Sequence, residues 1–256
     1  TLTGRTDGTS KVQPGRQWGY FPSGAVAWNF SKESFFKNLT SVVNFGKLKA
    51  SYGMVGNNKV NDFAYAFSMG DYTNSQGYPM YLTPGNPYLG GKAPFFYGND
   101  QLGWETTSQL DLGMSLNFFE DRISIEADYY NRKTKGALLL ATLPATGGYS
   151  VGSSGQYQNM GDIMNQGFEL TVNTVNIASK NFKWTSSFNI SLNDNKILDF
   201  YDGSEVRQTT LTLNGLSAAS LPVAWVAQVG QPIAQFYGYK WGGVYQYEDF
   251  DKLANG

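Results

Sequence analysis

Cysteine and histidine are both absent from the 256 residues. Without them the usual zinc sites cannot be built, and neither can Cys–His or Ser–His–Asp catalysis or a disulfide framework. Charge is scarce, with Asp, Glu, Lys and Arg making up 15% of the chain against about 25% in ordinary soluble domains. What charge there is nearly cancels, at a net −1 and a pI near 5.5, so no nucleic-acid partner is indicated. Long apolar runs are missing too, and mean hydropathy is −0.35. No transmembrane helix is encoded, which leaves open a membrane crossed by β-strands, where only every second residue need be apolar. The first residues, Thr1-Leu2-Thr3-Gly4-Arg5, do not form a signal peptide.

Aromatic residues and glycine are abundant instead: 17 Tyr, 17 Phe, 6 Trp and 30 Gly. Aromatics and Thr suit pleated sheets, and Gly and Asn suit turns. Alternation with period two marks strands near residues 24–30, 47–54, 108–118, 122–131, 167–175 and 182–192. In the third of these, Leu110, Leu112, Met114, Leu116 and Phe118 oppose Gln109, Asp111, Gly113, Ser115 and Asn117; in the fourth, Ile123, Ile125, Ala127 and Tyr129 oppose Arg122, Ser124, Glu126, Asp128 and Tyr130. Connections alternate short and long. Phe119–Asp121 and Asn176–Asn181 are short; 31–45 is intermediate, with a helical turn admissible around Lys32–Lys37; long loops are expected near 55–103, 135–166 and 196–240.

This rhythm fits an all-β, antiparallel transmembrane β-barrel with tight turns at one rim and long extracellular loops at the other. A soluble β-sandwich also shows alternation. Three features favour the barrel: the length of the strands, aromatics near strand ends (Trp104, Phe118, Tyr129, Phe168, Trp184), and charge spread along the second face. By pattern alone both architectures stay open. On the barrel reading, Asp111, Glu126, Asp128, Glu169, Asn173, Lys183 and Asn189 face a wet lumen. Loop aromatics Tyr65, Tyr72, Tyr78, Tyr81, Tyr88, Phe95, Phe96 and Tyr97 are the candidates for binding a substrate or a covering partner, because aromatic rings stack on sugars and pack on peptides.

No catalytic, cofactor or metal site stands out. Glu126 and Asp128 have a spacing that glycosidase carboxylates use, yet lumen charge explains them more simply. The acids Asp194, Asp199, Asp202 and Glu205 do not match a calcium loop, and Asp249-Phe250-Asp251 has Leu253 where an oxygen ligand belongs. Gly85 with Gly90-Gly91-Lys92-Ala93 departs from a phosphate loop in the place of its lysine and in Ala93.

Seven stretches, in order, resemble the SusC/RagA family of TonB-dependent outer-membrane transporters of Bacteroidota: Phe21-Pro22-Ser23-Gly24-Ala25-Val26-Ala27-Trp28; Leu48-Lys49-Ala50-Ser51-Tyr52-Gly53 through Gly56-Asn57; Leu102-Gly103-Trp104-Glu105-Thr106-Thr107; Asp128-Tyr129-Tyr130-Asn131-Arg132-Lys133-Thr134; Asn159-Met160-Gly161-Asp162 with Asn165-Gln166-Gly167-Phe168-Glu169-Leu170; Phe182-Lys183-Trp184 with Asn193-Asp194-Asn195-Lys196; and Val229-Gly230-Gln231-Pro232 with Phe236-Tyr237-Gly238-Tyr239. Each is weak alone. Residues 55–100 and 200–225 carry little of the resemblance. It implies a 22-stranded barrel of which this chain is an internal segment, the plug domain and C-terminal strands lying elsewhere. It further implies residence in the outer membrane, a SusD-like surface lipoprotein lid, the TonB complex, outer-membrane lipid, and import of an oligosaccharide or peptide. A dimer of transporter–lid pairs is implied as well. A passive porin-like channel and a soluble, secreted glycan-binding β-domain are the alternatives, and no enzyme is expected.

Overall fold

The computed structural model describes residues 1–71, 92–142, 155–210, 223–238 and 240–244. Its strands are β1 (Leu2–Gly8), β2 (Trp18–Trp28), β3 (Val43–Asn57), β4 (Ser68–Asp71), β5 (Lys92–Phe96), β6 (Glu105–Phe118), β7 (Ile123–Lys135), β8 (Leu138–Thr142), β9 (Gly155–Asn159), β10 (Gly161–Ala178), β11 (Lys183–Phe200), β12 (Val206–Thr210), β13 (Val223–Gln228) and β14 (Gln235–Phe236). The only helical pieces described are two 3-10 turns, Phe30–Lys32 and Ser34–Leu39, at the place where a helical turn is admissible from sequence. No described helix is long and apolar enough to cross a membrane.

One sheet dominates. Its seven strands lie in the order β1-β2-β3-β6-β7-β10-β11, every neighbouring pair antiparallel. Chain order equals spatial order once the short loop hairpins β4–β5 and β8–β9 are set aside, so this is an up-and-down meander. Strands β10 and β11 have 18 residues each and β3 has 15, well beyond the usual 5–6. The sheet does not close on itself: β1 and β11 are its edges. The segment around Gly230 touches β11, where the Gly230 N–H donates to the Ile197 carbonyl (2.8 Å), the Ile197 N–H donates to the Gln231 carbonyl (2.9 Å) and the Ile233 N–H donates to Asn195 Oδ1 (2.8 Å).

Several boundaries differ from those expected of the sequence. The segment near 24–30 is the end of a strand that begins at Trp18 and stops at Trp28, because Phe30 already enters a 3-10 turn. Gly19, Pro22 and Gly24 interrupt the alternation there, yet Gly19, Pro22 and Gly24 pair with Asp7, Gly4 and Leu2. Strand β1 escaped notice because Leu2 is its only large apolar residue. Strand β11 runs to Phe200, eight residues past Leu192, where its unbroken apolar alternation stops, since its ladder to β10 continues as Gly167–Asn193 through Gly161–Phe200. The loops expected near 55–103, 135–166 and 196–240 accordingly begin or end inside strands and contain β4–β5, β8–β9 and β12–β14. Hydrophobic periodicity detects a strand only where one face is apolar. Backbone pairing has no such limit.

Candidate functional site

The register assigns every residue of the large sheet to one of two faces. One row across the sheet reads Trp28–Leu48–Met114–Ala127–Leu170–Ile190, the next Val26–Ala50–Leu112–Tyr129–Phe168–Leu192, and below them Gly46–Leu116–Ile125–Val172–Phe188. This face is apolar from β2 to β11 and is left open: Val26 is 72% exposed, Leu192 60% and Phe188 58%. A contiguous exposed apolar surface of that extent marks contact with lipid or another protein. Aromatic side chains bound it, with Tyr52, Tyr129 and Phe168 toward one rim and Trp28, Phe118 and Trp184 toward the other.

The opposite face is polar. Asp111, Glu126, Asp128, Glu169, Asn173, Asn189 and Lys183 all sit on it. Asp128 stands directly opposite Glu169 and forms an ion pair with Lys49 at 3.3 Å. That pair reaches across an intervening strand and depends on a glycine. A Cβ at Gly113, which lies between the two, would run into the Asp128 carboxylate and the Lys49 Cε. Further along, the Arg132 Nε donates to Gln109 Oε1 (3.0 Å), Gln109 Nε2 to Asp111 Oδ1 (2.7 Å), and the Ser51 hydroxyl to Asp111 Oδ2 (3.1 Å). The Tyr130 ring lies over Gly167 and its hydroxyl donates to Asn193 Oδ1 at 2.7 Å. Lys183 is set apart from these groups, at the start of β11 beside the short turn into that strand. Among the described residues no three Asp or Glu side chains gather in a metal-binding group.

At the short-turn rim, β6 passes into β7 through Phe119, Glu120 and Asp121, all left-handed at φ 53°, 56° and 64°. Three consecutive non-glycine residues in that region are strained. Side-chain hydrogen bonds hold them, since Asn44 and Asn117 both donate to Asp121 Oδ1 at 2.7 Å.

The long connections meet at the other rim. Val12, Val60, Ala64 and Leu102 are each at most 5% exposed and form a small core with Leu138 and Tyr157 packed on it. Polar bonds join the same loops. Asn159 accepts from the Gly103 N–H (2.9 Å) and donates to the carbonyls of Gly103 (3.2 Å) and Gly136 (2.8 Å). Glu105 accepts from the Asn57 amide and the Leu138 N–H, both at 2.9 Å. Arg16 grips Gln101 through its main-chain and side-chain oxygens, each at 2.7 Å. The Trp104 indole donates to the Gln17 carbonyl (3.3 Å), and its ring meets Phe21 edge-on at 5.5 Å. The Tyr201 hydroxyl donates to the Asp162 carboxylate. Its pKa is raised above 10.0, first by burial and then by that bond and the neighbouring negative charge.

These clamp residues were not singled out as a site from sequence. Their signal was present nonetheless, because Asn57, Trp104, Glu105, Asn159 and Asp162 all fall inside the motifs that carry the family resemblance. Of the expected loop aromatics, Tyr65 lies beside Phe63 (6.4 Å between centroids) and Tyr97 makes an edge contact with Phe67 at 5.3 Å. Phe95 and Phe96 belong to β5, with Phe96 opposite Ser68. Tyr72, Tyr78, Tyr81 and Tyr88 lie outside the described residues, as do Gly85, Gly90 and Gly91.

Comparison with known proteins fits this geometry. A family profile described as "TonB dependent receptor-like, beta-barrel" matches residues 1–255. The TonB-dependent receptor P3 of Formosa agariphila is 34% identical over 250 residues, which is 98% of this chain and 23% of that protein. The TonB-dependent receptor SusC of Bacteroides thetaiotaomicron is 30% identical over 241 residues, covering 94% of this chain and 23% of SusC. Among solved structures, the RagAB peptide transporter superposes with a TM-score of 0.76 at 21% identity over 95% of this chain and 24% of that one, a likeness of fold. The chain thus spans about a quarter of the length of these relatives.

Proposed function

The chain belongs to the TonB-dependent receptor β-barrel family, and from that membership we propose that it forms one arc of the wall and outer rim of a transporter that imports a bulky nutrient, an oligosaccharide or a peptide, across the bacterial outer membrane. The observation that carries this reading is the two-faced meander: an open apolar face suited to lipid, a polar face suited to a wet lumen, and long loops gathered at one rim. The family is one of TonB-dependent transporters and receptors rather than of enzymes.

On this proposal residues 1–256 are all part of one barrel domain. The plug and the remaining strands come from other parts of a longer protein, in keeping with relatives of which this chain covers 23%. Asp111, Glu126, Asp128, Glu169, Asn173, Lys183 and Asn189 face the lumen, Lys183 near its periplasmic mouth. The looped rim is external, and a SusD-like lipoprotein closes over it. Tyr65, Tyr97 and the neighbouring loop aromatics touch the cargo or the lid. Energy arrives through the TonB complex at regions outside this chain. Peptide stays beside oligosaccharide as cargo because the structural relative is described as a peptide transporter.

The test is deletion of the full-length gene in its native host, with growth measured on single oligosaccharides and on peptides as sole nutrient. Loss of growth on one class, reproduced by removing TonB, supports active import. Growth that survives loss of TonB while purified protein conducts in planar bilayers supports a passive channel. Recovery of the full-length protein from the soluble fraction without detergent overturns the barrel reading.

A further inference from the structure

The apolar face does not extend to the looped rim. Toward that rim along β7, β10 and β11, the row Tyr129–Phe168–Leu192 is followed by Asn131–Gln166–Asp194 and then by Lys133–Met164–Lys196. Lys135 stands two residues beyond Lys133 on the same face, opposite Thr106. Lys133 and Lys196 flank β10, so their Cα atoms are roughly 10 Å apart, and Lys135 lies about 7 Å further along β7. Flexible four-carbon stems let three ammonium groups so placed turn toward one anion. Nearby acids offset part of this charge. Asp194 lies 3.7 Å from Lys196, and Asp162, which accepts from the Tyr201 hydroxyl and the Gly136 N–H, keeps its negative charge on the same stretch of β10. Among the described residues Lys133 and Lys135 have no carboxylate at ion-pair distance.

A second feature lies just below. Val26, Trp28, Leu48, Ala50, Tyr129 and Phe168 line an apolar groove. The small side chains of Ala50 and Ala127 form its floor. Its upper wall, Tyr129 and Phe168, is the row beneath the polar one. A cationic patch set one polar row above a groove for hydrocarbon matches an amphiphile with an anionic head and an apolar tail.

Resting on the reading above that this face meets lipid and that the looped rim is external, we infer that Lys133, Lys135 and Lys196 bind the phosphate-bearing headgroup of an outer-leaflet lipid, one of whose acyl chains lies in the Trp28–Phe168 groove. Basic clusters at the membrane surface recognise anionic headgroups in this way.

The test uses the full-length receptor in a neutral detergent, titrated with diphosphoryl lipid A and followed by native mass spectrometry. The K133Q/K135Q/K196Q variant is checked first for folding by heat-modifiable gel mobility. Its lipid A binding is expected to fall on the order of a hundredfold for the three charges together, with phosphatidylethanolamine binding unchanged and no displacement of lipid A from the wild type by inorganic phosphate. Binding of lipid A by the variant within about twofold of wild type, or displacement by inorganic phosphate alone, overturns the site. A nitroxide at I190C in lipid nanodiscs separates the two levels. Greater accessibility to oxygen than to a nickel chelate upholds the lipid-facing wall even where the lysine result is negative, and the reverse preference removes wall and site together.

Discussion

Placing an arginine at Val172 tests the face assignment with a magnitude that the structure supplies. Val172 sits on β10 between Ile125 of β7 and Phe188 of β11, four residues from the boundary aromatic Phe168. With a rise of about 3.4 Å per residue and a tilt near 40°, each residue advances about 2.6 Å along the membrane normal. Val172 is then about 10 Å below Phe168, close to the middle of an apolar band about 25 Å tall. The band height can be checked on this chain, because the ten-residue step from Phe182 to Leu192 spans about 26 Å by the same rise. An arginine at the midplane costs about 2–4 kcal/mol, falling to about 0–1 near an interface. Val172→Arg is therefore expected to lower the folded-to-unfolded ratio about 30- to 700-fold, and Phe168→Arg about fivefold or less. Thr171→Arg, one residue away on the polar face, is expected to stay within about 0.5 kcal/mol of wild type. The assay is refolding of the full-length receptor into phosphatidylcholine vesicles across a urea series, with the folded fraction read from heat-modifiable gel mobility. Equal losses at 171 and 172, or a greater loss at 171, would refute the two-faced wall.

Three further substitutions probe the two rims. Asn159→Ala removes three part-buried hydrogen bonds between loops and is expected to weaken the looped rim by about 2–3 kcal/mol. Hydrogen exchange should speed up at Gly103 and Gly136 while the β10–β11 ladder keeps its protection, and Asn159→Asp, which keeps only the acceptor, should not restore the rim. Asp121→Ala leaves a non-glycine residue at φ 64° without its two amide donors; a loss of about 1–2 kcal/mol in urea titration is expected, with Asp121→Gly recovering the backbone part. Tyr201 has a raised pKa, so the folded state holds its proton more tightly than the unfolded state does. Its contribution to the rim is fully present below pH 10.0 and is lost as pH rises past that value; alkaline titration of rim proteolysis should show this step in wild type and not in Tyr201→Phe.

The wall was legible in the sequence because a barrel strand needs only a type of residue at each alternate position. Leu110 through Phe118 and Ile123 through Tyr129 announce themselves on that criterion, and the structure aligns them in register. Strand β1 and the first half of β2 did not, since glycines and a proline stand where the pattern wants bulk. The end of β11 did not either, because Asn193, Asp194, Asn195 and Lys196 have left the apolar band while their backbone stays in the ladder. Pairing across sequence distance also escapes a linear reading. Nothing local in Lys49 or Asp128 says that they meet across Gly113.

The rim shows the complementary situation. A lipid-facing site accepts Leu, Ile, Val or Phe with little penalty, so an apolar residue there says little by itself about the family. Asn159 is different: one carboxamide must both accept and donate, at three fixed distances, between two loops and the end of β7. Glu105 must likewise accept from two strands at once, and Gly136, at φ 63°, admits few other residues. Such positions tolerate almost no substitution without leaving buried polar groups unpaired. That is why short motifs such as Trp104-Glu105 and Asn159-Met160-Gly161-Asp162 could identify the family before any contact was known. By the same logic the resemblance says least about the cargo. The motifs run thin near residues 55–100 and 200–225, although Val60 and Ala64 of the first stretch are packed into the core of the rim.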